Sequence, residues 1–400
     1  RYEVPKPTNL NSVGKNALFA GAIWIGGEDE GVLKLAAMTY RQKGSDFWPG
    51  PLSKATGTTT KEQCNDFDKI YKVTRAEIEE HVTAWENGSL THISKPIKEW
   101  PGNGNSSTGS DQLAPFFDRD SNGLYEPLKG DYPVLQTECR GKIIPKEKNK
   151  PSDQPDQMLW FVYNDRGNEH QESKGKSIGL ELQTTAFAYA TNDEINNMTF
   201  YTTRIINKGS NLSNTYFGQW IDPDLGNFKD DLIGCDVNLG LGFCYNGDDY
   251  DEGLSGYGYN PPAIGIDFLE GPITSQKING VDSLTELNMS NFVVYNNHFT
   301  NTGNPETDVH FYNYLRARWK DGSKITRENA PTNFMYPGES DTSFTTDWSQ
   351  ELGKQGDQRF VQSVGPFDLK QGAVNKLTIG VIWAQASSGG AQASLALMKE

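Results

Sequence analysis

Residues 222–252 read DPDLGNFKDDLIGCDVNLGLGFCYNGDDYDE. Nine carboxylates (Asp222, Asp224, Asp230, Asp231, Asp236, Asp248, Asp249, Asp251 and Glu252) face one base, Lys229, a net −8 in a chain of 400 residues whose total is −15. Charges this dense repel one another unless something neutralises them, and hard cations do so well at such spacings. A solvated acidic run is normally low in complexity and disordered. Here Leu, Ile, Phe, Cys and Tyr are interleaved, as in a loop that folds over a core. The segment predicts a calcium-built loop in an extracellular β-rich protein, with Asp222, Asp224, Asp230, Asp231 and Asp236 as oxygen ligands.

A second acidic site starts at Asp118. Asp118, Asp120 and Asn122 take positions 1, 3 and 5 of a loop, Gly123 takes position 6 and the Leu124 carbonyl position 7, as in the first half of an EF-hand loop. Position 12 is Lys129, which cannot ligate a cation, so a true EF-hand is excluded. Asp131, two residues later, is the natural replacement, and Glu126 lies inside the same loop. Calcium suits this set because it accepts six to eight oxygens in flexible geometry. The plainer alternative is an Asx-rich turn held by side-chain to backbone bonds.

The rest of the chain reads as mainly β, in a sandwich-like double-sheet architecture with long loops and one short helix. Apolar residues make up 35%, aromatics 11%, and Gly and Pro number 41 and 20, which fits sheets and turns better than helices. Residues 17–25 form a β-type apolar run ending in a turn at Gly26 and Gly27. Residues 179–191 alternate, residues 198–207 are β-branched and aromatic, and a turn at 208–211 leads to 214–221 as the expected antiparallel partner. Residues 292–295 and 377–384 complete the clear strands. Thr74 and Glu77 make a capping box, Val73 and Ile78 a hydrophobic staple, and Ile78, Val82 and Trp85 one apolar face that ends at Asn87 and Gly88. The domain reading is 1–150, holding the helix and the Asp118 loop, and 151–400, holding the acidic stretch, the two forming separate parts or one continuous module. Residues 146–157 read as a linker and 102–110 as a polar loop.

The acidic balance argues against nucleic acid and anionic membrane surfaces, both of which need basic patches. No run approaches the 18 apolar residues of a membrane span, so no membrane insertion is expected. The chain opens at Arg1 and closes in what reads as the start of a helix, as a piece of a longer protein would. Cys235 and Cys244 flank a Gly-rich turn, either as a disulfide closing a hairpin or as small buried residues.

Catalytic signals are weak, and no catalytic residue is nominated. His81, His92, His170, His298 and His310 are scattered singly, and neither GxSxG nor a P-loop occurs. Paired carboxylates for glycoside hydrolysis have no linear signature and stay open. Trp48, Trp100, Tyr257 and Tyr259 sit among turn residues, either to stack on a glycan or to plug gaps beneath loops. Asp282-Ser283-Leu284 is similar to the short glycan-acceptor triplet of Bacteroidota.

Several phrases resemble one large family of secreted Bacteroidota proteins. They are residues 19–27 (FAGAIWIGG), 39–42 with 46–51, 192–201 (NDEINNMTFY), and 218–226 (GQWIDPDLG) continuing to Gly234-Cys235-Asp236. Members are cargo of the type IX secretion system, with calcium loops and no general assigned activity. The resemblance implies export to the cell surface or beyond, with the secretion machinery or a surface partner as contacts. The resulting expectation is a calcium-stabilised module that binds or adheres rather than catalyses. The alternatives are a glycan-active or other hydrolase on a β-scaffold, and a structural subunit of a surface assembly or a cargo held at its secretion machinery.

Overall fold

The computed structural model describes residues 1–6, 14–40, 45–104, 112–135, 138–139, 142–143, 149–278, 281–350 and 356–400. Residues 41–42, 105–110 and 146–148, which belong to the resembling phrase, the polar loop and the linker read above, lie outside the described residues, as does the Asp282 side chain. The fold is mainly β, built of large antiparallel sheets with few helices. It divides into two compact units, Arg1–Phe47 with Asn168–Ile178 and Ser210–Glu400, and Trp48–Gly167 with Gly179–Gly209.

In the first unit a five-stranded sheet runs in the order Asn291–Asn296, Gln358–Leu369, Leu212–Asp222, Ala20–Asp29, Val32–Ala37. Strands Asp231–Asp236, Leu241–Asn246, Ala263–Glu270 and Val374–Ala384 pair antiparallel in that order. The two sets meet face to face inside this unit. Phe217 packs edge-on to Phe268 at 6.5 Å, and the Gln362 amide donates to the Ile266 carbonyl at 3.1 Å. Trp24 stacks on Trp220 at 6.4 Å, Phe311 closes on Trp24 at 4.7 Å, and the Trp220 indole donates to the Tyr295 hydroxyl at 2.6 Å. Burying aromatics of this size is the main stabilising term, and the buried indole keeps a partner.

Two sequence expectations change here, and one that was open is decided. The run at 17–25 does not turn at Gly26 and Gly27: the strand continues to Asp29, and the chain reverses at Glu30 and Gly31, whose φ values are 49° and 81°. Gly26 is instead a site of close approach, because a Cβ there would meet Leu35 at 2.8 Å and Tyr312 at 3.0 Å. Residues 214–221 pair with Ala20–Asp29 and Gln358–Leu369, while Met198–Asn207 pairs with Leu180–Ala188. The turn between them is where the chain passes from one unit to the other, so neighbours in sequence belong to different units. Cys235 and Cys244 lie on the expected hairpin as free, buried thiols, the second of the two readings open in the sequence. Its register sets Cys235 opposite Gly242 and Cys244 opposite Ile233, which keeps the two sulfurs from facing each other.

The second unit carries strands Met198–Asn207, Leu180–Ala188 and Gln157–Asn164, with Tyr71–Thr74 and Trp48–Pro49 both on the last. The described residues hold five α-helices rather than one: α1 (Lys61–Asp66), α2 (Arg75–Glu86), α3 (Lys95–Lys98), α4 (Asp308–Leu315) and α5 (Gly390–Lys399). The capped helix read from the sequence is α2 and the helix start read at the end of the chain is α5; the α2 capping box is complete, with Thr74 accepting from the Glu77 N–H while Glu77 accepts from the Thr74 N–H. Val73, Ile78 and Val82 enter one core with Trp100, Tyr125, Met158 and Trp160. No helix among the described residues is long and apolar enough to cross a membrane.

Candidate metal centres

The Asp118 loop uses its oxygens internally. Asp118 accepts from the Asn122 and Gly123 N–H groups at 3.2 and 2.8 Å, and Asn122 Oδ1 accepts from the Leu124 N–H at 2.7 Å. Asp120 accepts from the Asn122 amide, which also donates to Glu126 at 2.6 Å. Asp131 is fully buried and accepts from the backbone N–H groups of Arg119 and Glu126 at 2.9 and 2.7 Å. Lys129, at the position that ruled out an EF-hand, pairs with Glu126 at 2.6 Å and lies 3.5 Å from Asp120. That hydrogen bond holds the Glu126 carboxyl below its usual range, whereas burial raises Asp131. The hydrogen bonds are those of an Asx-rich turn, and no three of these carboxylates bring oxygens within 4.8 Å of one another. Among the described residues, the acidic groups close enough to share an ion lie elsewhere.

The first such cluster is Asp222, Asp224 and Asp357, each offering an oxygen within 4.8 Å of the others. Asp222 ends strand Leu212–Asp222, and the pairing of Ile221 with Phe360 brings it to Asp357, just before strand Gln358–Leu369. Asp222 is fully buried, and its Oδ2 accepts from the Tyr40 hydroxyl and from Arg359 at 3.2 Å. Its Oδ1 has no partner. Arg359 also pairs with Asp357, so a buried guanidinium bridges two of the three acids. Burial, with Asp222 and Asp357 beside it, pushes Asp224 up to about 7.

The second cluster is Asp230, Asp251 and Glu252, again within 4.8 Å. Asp230 closes a 3₁₀ turn immediately before strand Asp231–Asp236, and Asn246 ends the next strand directly opposite Asp231. Asp251 comes from the short hairpin of Tyr250–Asp251 with Gly258–Tyr259. It is 2% exposed and accepts from the N–H groups of Asn227 and Tyr257 at 3.1 and 2.8 Å, which fixes its carboxylate. Both Asp230 oxygens are buried without a partner, as are Oδ1 of Asp231 and Oδ1 of Asn246. Asn246 is 1% exposed and its amide adjoins the Asp230 carboxylate. Burial raises Asp230, raises Asp231 strongly, and pushes Asp251 up to about 6. Among the described residues, no ion pair joins a basic side chain to Asp230, Asp251 or Glu252.

Asp236 joins neither cluster. It accepts from the N–H groups of Asn238 and Leu239 and lies 3.5 Å from Lys399. Asp248 and Asp249 serve turns as well, Asp249 accepting from the Ala391 N–H in the first turn of α5. Of the ligands read from sequence, the structure thus gathers Asp222 with Asp224, and sets Asp230 apart from them. Asp251, Glu252 and Asp357 were not nominated. Asp251 and Glu252 stood in the same acidic stretch, but Asp357 carries no local signal and joins through sheet register. Among the loop aromatics, Trp100 is a buried plug donating to the Pro115 carbonyl, and Trp48 covers Gly167. Tyr257 donates to the Val4 carbonyl at 2.7 Å. Tyr259 stands out at 79% exposure, edge-on to Tyr250 with ring centroids 4.7 Å apart.

No protein-family model matches the chain, and no curated protein matches it either.

Proposed function

We propose that this chain is a calcium-stabilised, sandwich-like module of a secreted or cell-surface protein, exported as type IX secretion cargo, that acts by binding. The observation that carries the reading is the set of buried, unpartnered oxygens on Asp230, Asp231 and Asn246 beside Asp251 and Glu252. Leaving such groups bare is costly, and a cation held by oxygen donors removes both the missing bonds and the repulsion. An all-oxygen donor set from loops of irregular geometry suits calcium better than magnesium, which requires a near-ideal octahedron, or zinc, which favours nitrogen and sulfur. The residues present therefore fit calcium.

The hairpin that contributes Asp251 also carries Tyr250 and Tyr259 at 44% and 79% exposure. A presented aromatic pair on an ion-braced loop is suited to stacking on a sugar ring or anchoring a protein surface. The test is calorimetric titration of metal-stripped chain with calcium, followed by a glycan array probed with calcium present and with chelator. Saturable calcium heat and array signal that disappears on chelation and in Tyr259→Ala support the reading. Absence of calcium heat overturns it, and turnover of any arrayed glycan moves the account to a hydrolase.

A further inference from the structure

We infer that, of the two acidic clusters, the one at Asp230, Asp251 and Glu252 holds the calcium ion, whereas Arg359 supplies the positive charge in the other. The inference rests on the calcium reading above and assigns it to particular residues. Three carboxylates gathered in a protein need compensating charge, from a basic side chain or from an ion. At Asp222, Asp224 and Asp357 one positive charge is built in, although Asp222 Oδ1 keeps no partner. Arg359 reaches Asp222 at 3.2 Å and pairs with Asp357, and the Tyr40 hydroxyl donates to Asp222 and lies 2.8 Å from Arg359. A divalent ion placed beside that guanidinium would meet like charge in a buried setting, where Coulomb terms are least screened.

The Asp230 cluster has the opposite balance. No arginine or lysine pairs with its three acids among the described residues, yet both Asp230 oxygens are shut off from water, with only the neutral Asn246 amide adjoining them. Asn246, also almost wholly buried, sets its side-chain amide against Asp230, and its own Oδ1 has no partner. Asp251 is held by two backbone N–H groups before any ion arrives, so one ligand is fixed in advance. Glu252 is exposed and leaves the site open to solvent on that side. The Asp251 loop is also tied to the first strands: Lys15 donates to the carbonyls of Leu254 and Gly256 at 2.9 and 2.6 Å. An ion here braces residues 227–231, 246 and 251–257 at once.

The experiment is calcium titration of the metal-stripped full chain, by calorimetry, for wild type, Glu252→Gln, Asp230→Asn and Asp224→Asn. Glu252 is exposed, so its variant retains the fold even where Asp230→Asn does not, and far-ultraviolet circular dichroism checks each. Glu252→Gln is expected to weaken calcium binding by about tenfold or more, from loss of one charged ligand. Asp224→Asn is expected to stay within about twofold of wild type, since its carboxylate belongs to the Arg359 cluster and reaches the other site only through its charge on Asp231. Weakening by Asp224→Asn with Glu252→Gln unchanged would place the ion at the Arg359 cluster and overturn the assignment. Weakening by both variants shows that Arg359 does not replace an ion and also overturns it. Calcium binding untouched by every variant puts the ion elsewhere, again against the assignment but not against the calcium reading. No calcium binding by wild type removes both.

Discussion

Gly226 lies so close to Asp251 that a Cβ on it would fall 2.0 Å from the Asp251 Oδ2. Its φ of +62° is also one that side-chain-bearing residues adopt at a cost. The glycine therefore lets one wall of the proposed calcium site approach the other. Gly226→Ala is expected to destabilise the protein by about 2 kcal/mol or more, through clash and backbone strain together. It should also weaken calcium binding, because Asp251 must move. Urea unfolding with and without calcium reads both effects, and a neutral substitution would contradict the close packing.

The Thr74 capping box starts the helix that lines the second unit's core. Thr74→Ala removes the acceptor for the Glu77 N–H and is expected to cost about 1 kcal/mol. Hydrogen exchange should speed up first in α2. Equal exchange in the variant and wild type would show that core packing alone sets the helix start.

The Trp220 indole donates to the buried Tyr295 hydroxyl. Tyr295→Phe keeps the ring and strands that N–H in the core. The expected loss is about 1–3 kcal/mol, the usual penalty for a buried donor left unpaired. A double substitution, Trp220→Phe with Tyr295→Phe, should lose less than the sum of the two single changes, as coupled partners do.

Asp267 lies on strand Ala263–Glu270 with its Oδ1 buried and unpartnered, and burial pushes it up to about 6 from 3.8. A carboxyl raised in the folded state holds its proton there while the unfolded chain has already lost it. Stability from this group therefore falls as pH rises from about 4 to about 6, and is unaffected below that window. Asp267→Asn, which cannot ionise, should be more stable than wild type at pH 7.5 by roughly 1 kcal/mol after solvent screening, and about equal to it at pH 4. An unchanged difference between the two proteins across that range would show that Asp267 is not strained.

The sequence carried some of this plainly. The capping residues at Thr74 and Glu77 act over one turn, so α2 could be read locally, and Met198–Asn207 is a strand with the bounds its β-branched run marks. Acid density likewise pointed to residues 222–252. Register was not legible, because pairing is decided by contacts far along the chain. That is why Asp357 joins Asp222, why residues 214–221 pair elsewhere, and why Cys235 and Cys244 do not face each other. The helix α4 escaped for another reason: Phe311 to Leu315 are all buried, so its sequence shows no apolar stripe. At the Asp118 loop the ligand spacing was visible, but Lys129 turning back onto Glu126 and Asp120 was not.

The central claim is that calcium stabilises this fold through buried carboxylates, and melting of the metal-stripped chain tests it most directly. Calcium at about 100 times its dissociation constant contributes about 2.7 kcal/mol to the folded state, so the transition should rise by about 3 °C and fall back on chelation. Magnesium at the same concentration should move it far less. A melting temperature that is the same with calcium and with chelator, in chain verified as metal-free beforehand, would contradict the account.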